Sequence, residues 1–170
     1  MFQRGPDHPV VFVLFGAAGD LSHRLIVPAL YALYHDRQLP ARFAFVGTDR
    51  VSLSRAKLAA QYRTSLTQES GQFSNDSWRD FSAGLAYLQG DLADHSLYTG
   101  LKEKIRGLEK DWAAKAERVF YFATPPRLFG QIADGLASAA LHREREHTRI
   151  VVEKPLGSDL ESFLQINATL

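Results

Sequence analysis

Val10-Val11-Phe12-Val13-Leu14-Phe15-Gly16-Ala17-Ala18-Gly19-Asp20-Leu21-Ser22 runs from an apolar strand through a glycine turn into an amphipathic helix. An apolar, valine-rich run of this kind needs burial on both faces, which a parallel sheet provides. Glycines placed directly after it let the backbone turn tightly and approach a ligand. The helix that follows offers free N–H groups and a positive dipole end, a setting suited to a phosphate or pyrophosphate. The spacing is GxxGDL rather than GxGxxG, so the stretch alone predicts a strand–turn–helix junction able to hold an anion.

Working outward, Leu21, Leu25, Ile26, Leu30, Leu33 and Tyr34 fall near helical spacing, with Pro28 inside the pattern. A proline there removes one backbone bond, so the first turn is expected to be separated from the rest of the helix or bent toward the ligand. Further strands are predicted over 43–47, 85–89, 118–123 and 150–152. Helices are predicted over 53–69, capped by Ser52 or Ser54, over 78–84, over 96–115 with Leu97, Leu101, Ile105 and Leu108 as a buried stripe, and through Leu128 to Ala139. A last amphipathic helix begins near Ser158-Asp159 and is still apolar-periodic at Leu170. Strands alternating with helices predict an α/β fold: a doubly wound, mainly parallel sheet with helices on both faces, in the order 3-2-1-4-5.

The bulk of the chain agrees with one such domain over 1–170. Its 170 residues are 45% hydrophobic and 23% charged, a globular composition long enough for a sizeable core. A net charge of +1 gives no broad field for nucleic acid or an anionic membrane. The absence of cysteine excludes disulfides, thiolate metal sites and thiol nucleophiles, and the six histidines lack metal-ligand spacing. No apolar run is long enough to span a bilayer and residues 1–9 have no signal-peptide core, so a cytoplasmic location is expected.

In a doubly wound sheet, ligands bind beyond the carboxyl ends of the strands, where the strand order reverses. The unusual clusters all fall at such ends: Gly16 to Leu21, Thr48-Asp49-Arg50, Gly90-Asp91, Thr124-Pro125-Pro126 and Glu153-Lys154-Pro155. After strand two, a dinucleotide-binding fold reads the adenosine ribose, an acid favouring the free 2′-hydroxyl and an arginine accepting a 2′-phosphate. Asp49 and Arg50 supply both, and their adjacency predicts that one of the two addresses the ribose. Lys154, between a buried strand and a proline, is placed to grip a substrate oxygen or to pair with Glu153 on the surface. Asp91 and Asp94 fit turn and N-cap roles. His142 and His147 read as solvated, while His23 lies in the first turn of the anion-binding helix.

These residues resemble the amino-terminal, coenzyme-binding domain of the glucose-6-phosphate dehydrogenase family, a Rossmann-like domain. The likeness is carried by Gly16-Ala17-Ala18-Gly19-Asp20-Leu21 with Pro28-Ala29-Leu30, by Val46-Gly47 with Arg50, by Tyr87 with Gly90-Asp91, and by Tyr121 to Pro126 with Glu153-Lys154-Pro155-Leu156-Gly157. It implies NADP as coenzyme and oxidation of glucose 6-phosphate at C1 to the 6-phosphogluconolactone. It further implies that Gly16 to Leu21 hold the pyrophosphate and Arg50 the 2′-phosphate. Asp91, Ala123, Thr124, Pro125 and Pro126 join the coenzyme-facing set, and Lys154 contacts substrate and coenzyme.

Two departures stand out. The family pattern GDLA-x-x-K-x-x-P has a lysine where this chain has Leu25. The RIDHYLGKE segment, the general-base histidine and the large carboxy-terminal domain that closes the site and forms the dimer are expected beyond Leu170. The residues present are therefore expected to bind a dinucleotide with negligible turnover alone. A homo-oligomer or pairing with a carboxy-terminal domain is the expected assembly. The competing readings are a stand-alone NADP(H)-binding regulatory or degenerate paralogue, favoured by Leu25, and a GxGxxG-type sugar dehydrogenase, disfavoured by GAAGDL.

Overall fold

The computed structural model describes residues 8–69 and 73–153. Five parallel strands, β1 Val10–Phe15, β2 Phe43–Asp49, β3 Leu85–Gln89, β4 Glu117–Phe122 and β5 Thr148–Val152, form one sheet in the order β3-β2-β1-β4-β5. The expected order therefore holds, and it reverses between β1 and β4. Helices α1 Val27–His35, α2 Arg55–Glu69, α3 Asn75–Ala83, α4 His95–Asp111 and α5 Phe129–Ser138 make the crossovers.

The period-two alternation of β1 divides its side chains between two cores. Phe12 and Leu14 join Phe45 and Leu85 beneath α1, α2 and α3, through Leu30, Tyr31, Leu58, Tyr62, Trp78 and Phe81. Val11, Val13 and Phe15 join Val46, Phe120 and Phe122 on the opposite face, packed against Leu97, Tyr98, Leu101 and Ile105 of α4 and Phe129, Ile132 and Leu136 of α5. Helices thus cover both faces, and this is why β1 tolerates no polar residue.

Pro28 is accommodated in a way the helical spacing does not reveal. Ser22–Ile26 form a wide π-turn in which the Val27 N–H reaches back to Ser22 O, and Pro28 then sits in the first turn of α1, where its missing N–H costs nothing. The helix therefore runs without a break from Asp20 to His35, the wide turn taking the place of a separation or sharp bend. Other boundaries shift by local chemistry. Strand β2 runs on through Thr48 and Asp49, because these pair with Phe15 of β1 and with Leu88 and Gln89 of β3. Helix α3 starts earlier than expected, because Ser74 caps it by accepting from the Ser77 N–H. Ser54, rather than Ser52, caps α2 through the Lys57 N–H. Asp94 caps α4 through the Ser96 N–H and starts it at His95, and Trp112 ends it short of 115.

Two basic side chains tie helix ends across the fold. Arg55, at the start of α2, donates to Leu85 O at 2.6 Å and Ser82 O at 2.5 Å, and Lys102 donates to Ala139 O at 2.7 Å. Ser82 O and Ala139 O lie at the C-terminal ends of α3 and α5, where carbonyls run out of helical N–H partners, while Leu85 O opens β3.

Candidate coenzyme site

The site is built from the ends of β1, β2 and β4. Gly16 leaves β1 with φ +86°, and a Cβ at that position would lie 2.5 Å from Ala123 O, so only glycine both turns there and lets the end of β4 come close. The N–H groups of Gly16 and Ala17 both donate to Thr48 O at 3.0 Å, and Ala123 N–H donates to Phe15 O. Gly19 N–H closes the turn on Gly16 O, and the buried Ser22 hydroxyl donates to the same carbonyl at 2.7 Å. The amides of Asp20 and Leu21, at the start of the turn that follows, have no intrahelical acceptor available to them.

A long-range clasp holds this loop against the end of β2. Ala18 N–H donates to Asp49 Oδ2 at 3.0 Å, while Val51 N–H donates to Asp49 Oδ1 at 3.2 Å. The Tyr87 hydroxyl donates to Val51 O at 2.5 Å and to Asp49 O at 3.3 Å. Burial first, and the Asp49 charge second, push the Tyr87 phenol up to about 12, so it remains a donor. From the other side Tyr62, 1% exposed, donates to Ala17 O at 2.7 Å. Burial, and then Asp49, raise its pKa as well. Sequence reading missed Tyr62, Thr48 and Ser22 as loop supports. The only signal for Tyr62 was its place on the buried stripe of α2, which says nothing about its hydroxyl.

Beside the clasp lies a cleft of about 430 Å³ lined by Ala18, His23, Val51, Leu53, Gln61, Thr64 and Ser65. It combines two apolar plates with amide and hydroxyl groups, a lining suited to a flat heteroaromatic ring with polar edges. His23 packs 4.8 Å from the Tyr62 ring. Burial lowers its pKa, against a smaller opposing effect of Asp20, which favours the neutral imidazole at pH 7. Arg50 is exposed and precedes Val51 of the cleft lining in the chain.

At the β4 end, Thr124 stands against Gly16, and its buried Oγ1 has no hydrogen-bond partner among the described residues. Pro125 and Pro126 turn the chain into a short 3-10 turn, Pro126–Leu128, ahead of α5. A buried hydroxyl without a protein partner at a ligand edge fits a polar group arriving from outside. The glycine turn, the cleft and this hydroxyl together fit an extended dinucleotide lying across the strand ends.

The remaining predicted residues divide clearly. Asp20 forms an exposed pair with Arg24 at 3.4 Å. Asp91 accepts the Ala93 N–H, an Asx turn that occupies one carboxylate oxygen. Leu25 is 61% exposed on the π-turn, so among the described residues no packing role explains an apolar residue there. Glu153, the alternative partner considered for Lys154, accepts a hydrogen bond from the Tyr121 hydroxyl. His147 is not simply solvated, because its Nδ1 lies 2.8 Å from Glu117 Oε1. Lys154 itself, with Pro155 and the last predicted helix, lies outside the described residues.

Comparison with known proteins agrees with this geometry. The family described as glucose-6-phosphate dehydrogenase, NAD binding domain, matches residues 13–170. The glucose-6-phosphate 1-dehydrogenases of Chlamydia pneumoniae and Treponema pallidum are 33% and 32% identical over 93% and 98% of this chain, which spans 32% and 33% of theirs. The crystal structure of the Mycobacterium avium glucose-6-phosphate 1-dehydrogenase superposes with a TM-score of 0.82 at 31% identity, covering 95% of this chain and 33% of that one. A glucose-6-phosphate dehydrogenase in complex with glucose 6-phosphate superposes at 0.86 and 29% identity, covering 96% and 34%. The chain thus spans about a third of the length of the relatives it matches. With its sheet order, its glycine turn and nearly all of its length accounted for by one family, this chain belongs to the glucose-6-phosphate dehydrogenase family and represents its nicotinamide-dinucleotide-binding domain.

Proposed function

We propose that this chain is the coenzyme domain of an NADP-dependent glucose-6-phosphate 1-dehydrogenase, an enzyme that oxidises C1 of glucose 6-phosphate to the 6-phosphogluconolactone. The observation that carries the reading is the convergence of the Gly16–Asp20 turn, the Asp49–Val51 turn and the Thr124 edge where the strand order reverses. When bound, the nicotinamide supplies a hydride acceptor. The residues of this chain supply binding and orientation.

In this reading the amides of Asp20 and Leu21, at the start of the adjoining helix, face the pyrophosphate, and the Gly16–Gly19 turn holds them in place. The cleft behind His23 and Val51 takes the adenine, and Arg50 forks its donors onto the 2′-phosphate. Ala123 to Pro126 form the wall on the nicotinamide side, with the Thr124 hydroxyl free to hydrogen-bond. Lys154 contacts both substrate and coenzyme in the same proposal. Rigid support of the loop by Tyr62, Tyr87 and Asp49 matters because hydride transfer depends on sub-ångström placement of the two reacting carbons.

Titration of the chain with NADP and NAD, with and without Arg50→Ala, tests the coenzyme assignment. Loss of a charge-assisted phosphate contact is expected to weaken NADP by about tenfold or more while leaving NAD within about twofold. An unchanged NADP affinity would remove Arg50 from the site.

A further inference from the structure

We infer that Asp49 is a specificity-determining residue at the ribose position and that it makes this site accept NAD alongside NADP. The inference rests on the dinucleotide-binding reading above and adds a second coenzyme to it. Asp49 ends β2, the strand over whose carboxyl end the adenosine ribose lies when a dinucleotide crosses a doubly wound sheet. Its carboxylate is held by two backbone donors, Ala18 N–H on one oxygen and Val51 N–H on the other. Ala18 and Val51 both line the cleft, so the charge is fixed at the cleft's edge between the glycine loop and the Arg50 turn. Tyr87 locks the same turn from behind.

Fixing the carboxylate does not exhaust it. An ionised carboxylate offers about four lone-pair sites and the two amides use one on each oxygen. A ribose 2′-hydroxyl brings a proton to donate to one of those remaining sites. A 2′-phosphate brings negative charge and no such proton, so the same carboxylate repels it. Arg50, exposed on the next residue, has the opposite preference. The two coenzymes therefore have separate readers, a pinned acid for the hydroxyl and an exposed guanidinium for the phosphate.

The test is calorimetric titration of the 170-residue chain with NAD and with NADP, in the wild type and in Asp49→Asn and Arg50→Ala. Asparagine keeps the size of the side chain and one oxygen for the clasp but loses the charge. The wild type is expected to bind NAD within about tenfold of NADP. Asp49→Asn, which turns one clasp oxygen into a donor, is expected to weaken NAD about tenfold more than it weakens NADP, and Arg50→Ala to weaken NADP about tenfold more than NAD. A wild type whose NAD affinity lies more than about a hundredfold below NADP overturns the inference and leaves the coenzyme site standing. Equal weakening of both coenzymes in Asp49→Asn also overturns it, since Asp49 would then be a loop clasp alone. Should the asparagine variant melt early, the wild-type ratio and the Arg50→Ala titration still decide. A wild type that binds neither dinucleotide overturns the domain reading and this inference together.

Discussion

Gly16→Ala is expected to abolish dinucleotide binding and to destabilise the chain by about 3 kcal/mol, the sum of two independent penalties. The first is conformational. Gly16 sits at φ +86°, where an L side chain meets its own backbone. The second is tertiary, because the new Cβ would lie 2.5 Å from Ala123 O and 3.2 Å from Thr124 Cγ2. The obstacle is backbone, so the ends of β1 and β4 must separate, and the Ala123 N–H to Phe15 O bond goes with them. Urea denaturation measures the destabilisation and coenzyme titration the lost binding, for which a fall of at least about a hundredfold is expected. Gly107→Ala is the control. It lies on the exposed face of helix α4 with nothing within 4 Å of a new Cβ, and helix propensity predicts a gain of up to about 1 kcal/mol. Equal behaviour of the two variants would show that the tight turn at Gly16 is unimportant.

The second large effect lies at the amino-terminal end of β4, the end away from the ligand. The Arg118 side chain on β4 is 6% exposed, and its Nη2 donates to Glu109 Oε1 at 2.8 Å and to Glu144 Oε2 at 3.2 Å. Glu109 is itself 10% exposed, with Lys115 at 3.8 Å and the Ala116 N–H as its other partners. Removing the guanidinium strands a buried carboxylate, so Arg118→Met is expected to cost about 3 kcal/mol with coenzyme affinity unchanged. Adding Glu109→Gln removes the stranded charge while keeping an acceptor for Ala116, and at least about half of the loss should return. A cost below about 1 kcal/mol for Arg118→Met would mean that the network contributes little. The same network sets an acid limit. A hydrogen bond from Lys115 and then the Arg118 charge hold the Glu144 carboxyl below its usual 4.5, so its stabilisation is present above that value. It is lost as pH falls through the lowered folded-state value. The wild type should therefore lose stability more steeply than Arg118→Met below about pH 4.5 in acid-titrated melts.

Much of this was legible in the residues. The both-faces-buried strand, the glycine turn and the alternation of strand and helix led to a parallel, doubly wound sheet, because parallel neighbours require crossovers; the expected order 3-2-1-4-5 matches the structure but does not follow from those signals alone. The ligand edge followed from that order, and the residues matching the family motif pointed to the same edge. Pro28 announced a disturbance of the helix but not its form. Whether a proline is met by a kink or by a π-turn depends on the i to i−5 bond that the surroundings permit. Asp49 shows the same division. Its type and place suggested a ribose reader or a solvated acid, and neither suggestion contained the Ala18 amide 31 residues away.

Local chemistry, then, determined what each segment of this protein would be. Periodicity, a glycine at a forced turn and caps such as Ser54, Ser74 and Asp94 act over a few residues and are written in the chain. Only the tertiary structure decided which groups would meet. Tyr62 reaches Ala17, Tyr87 reaches Val51, Asp49 reaches Ala18 and Arg118 reaches Glu144 through packing of elements distant in sequence. A hydrogen-bonding side chain carries its capacity in the sequence, but its partner is chosen by the burial that leaves it no water to use instead.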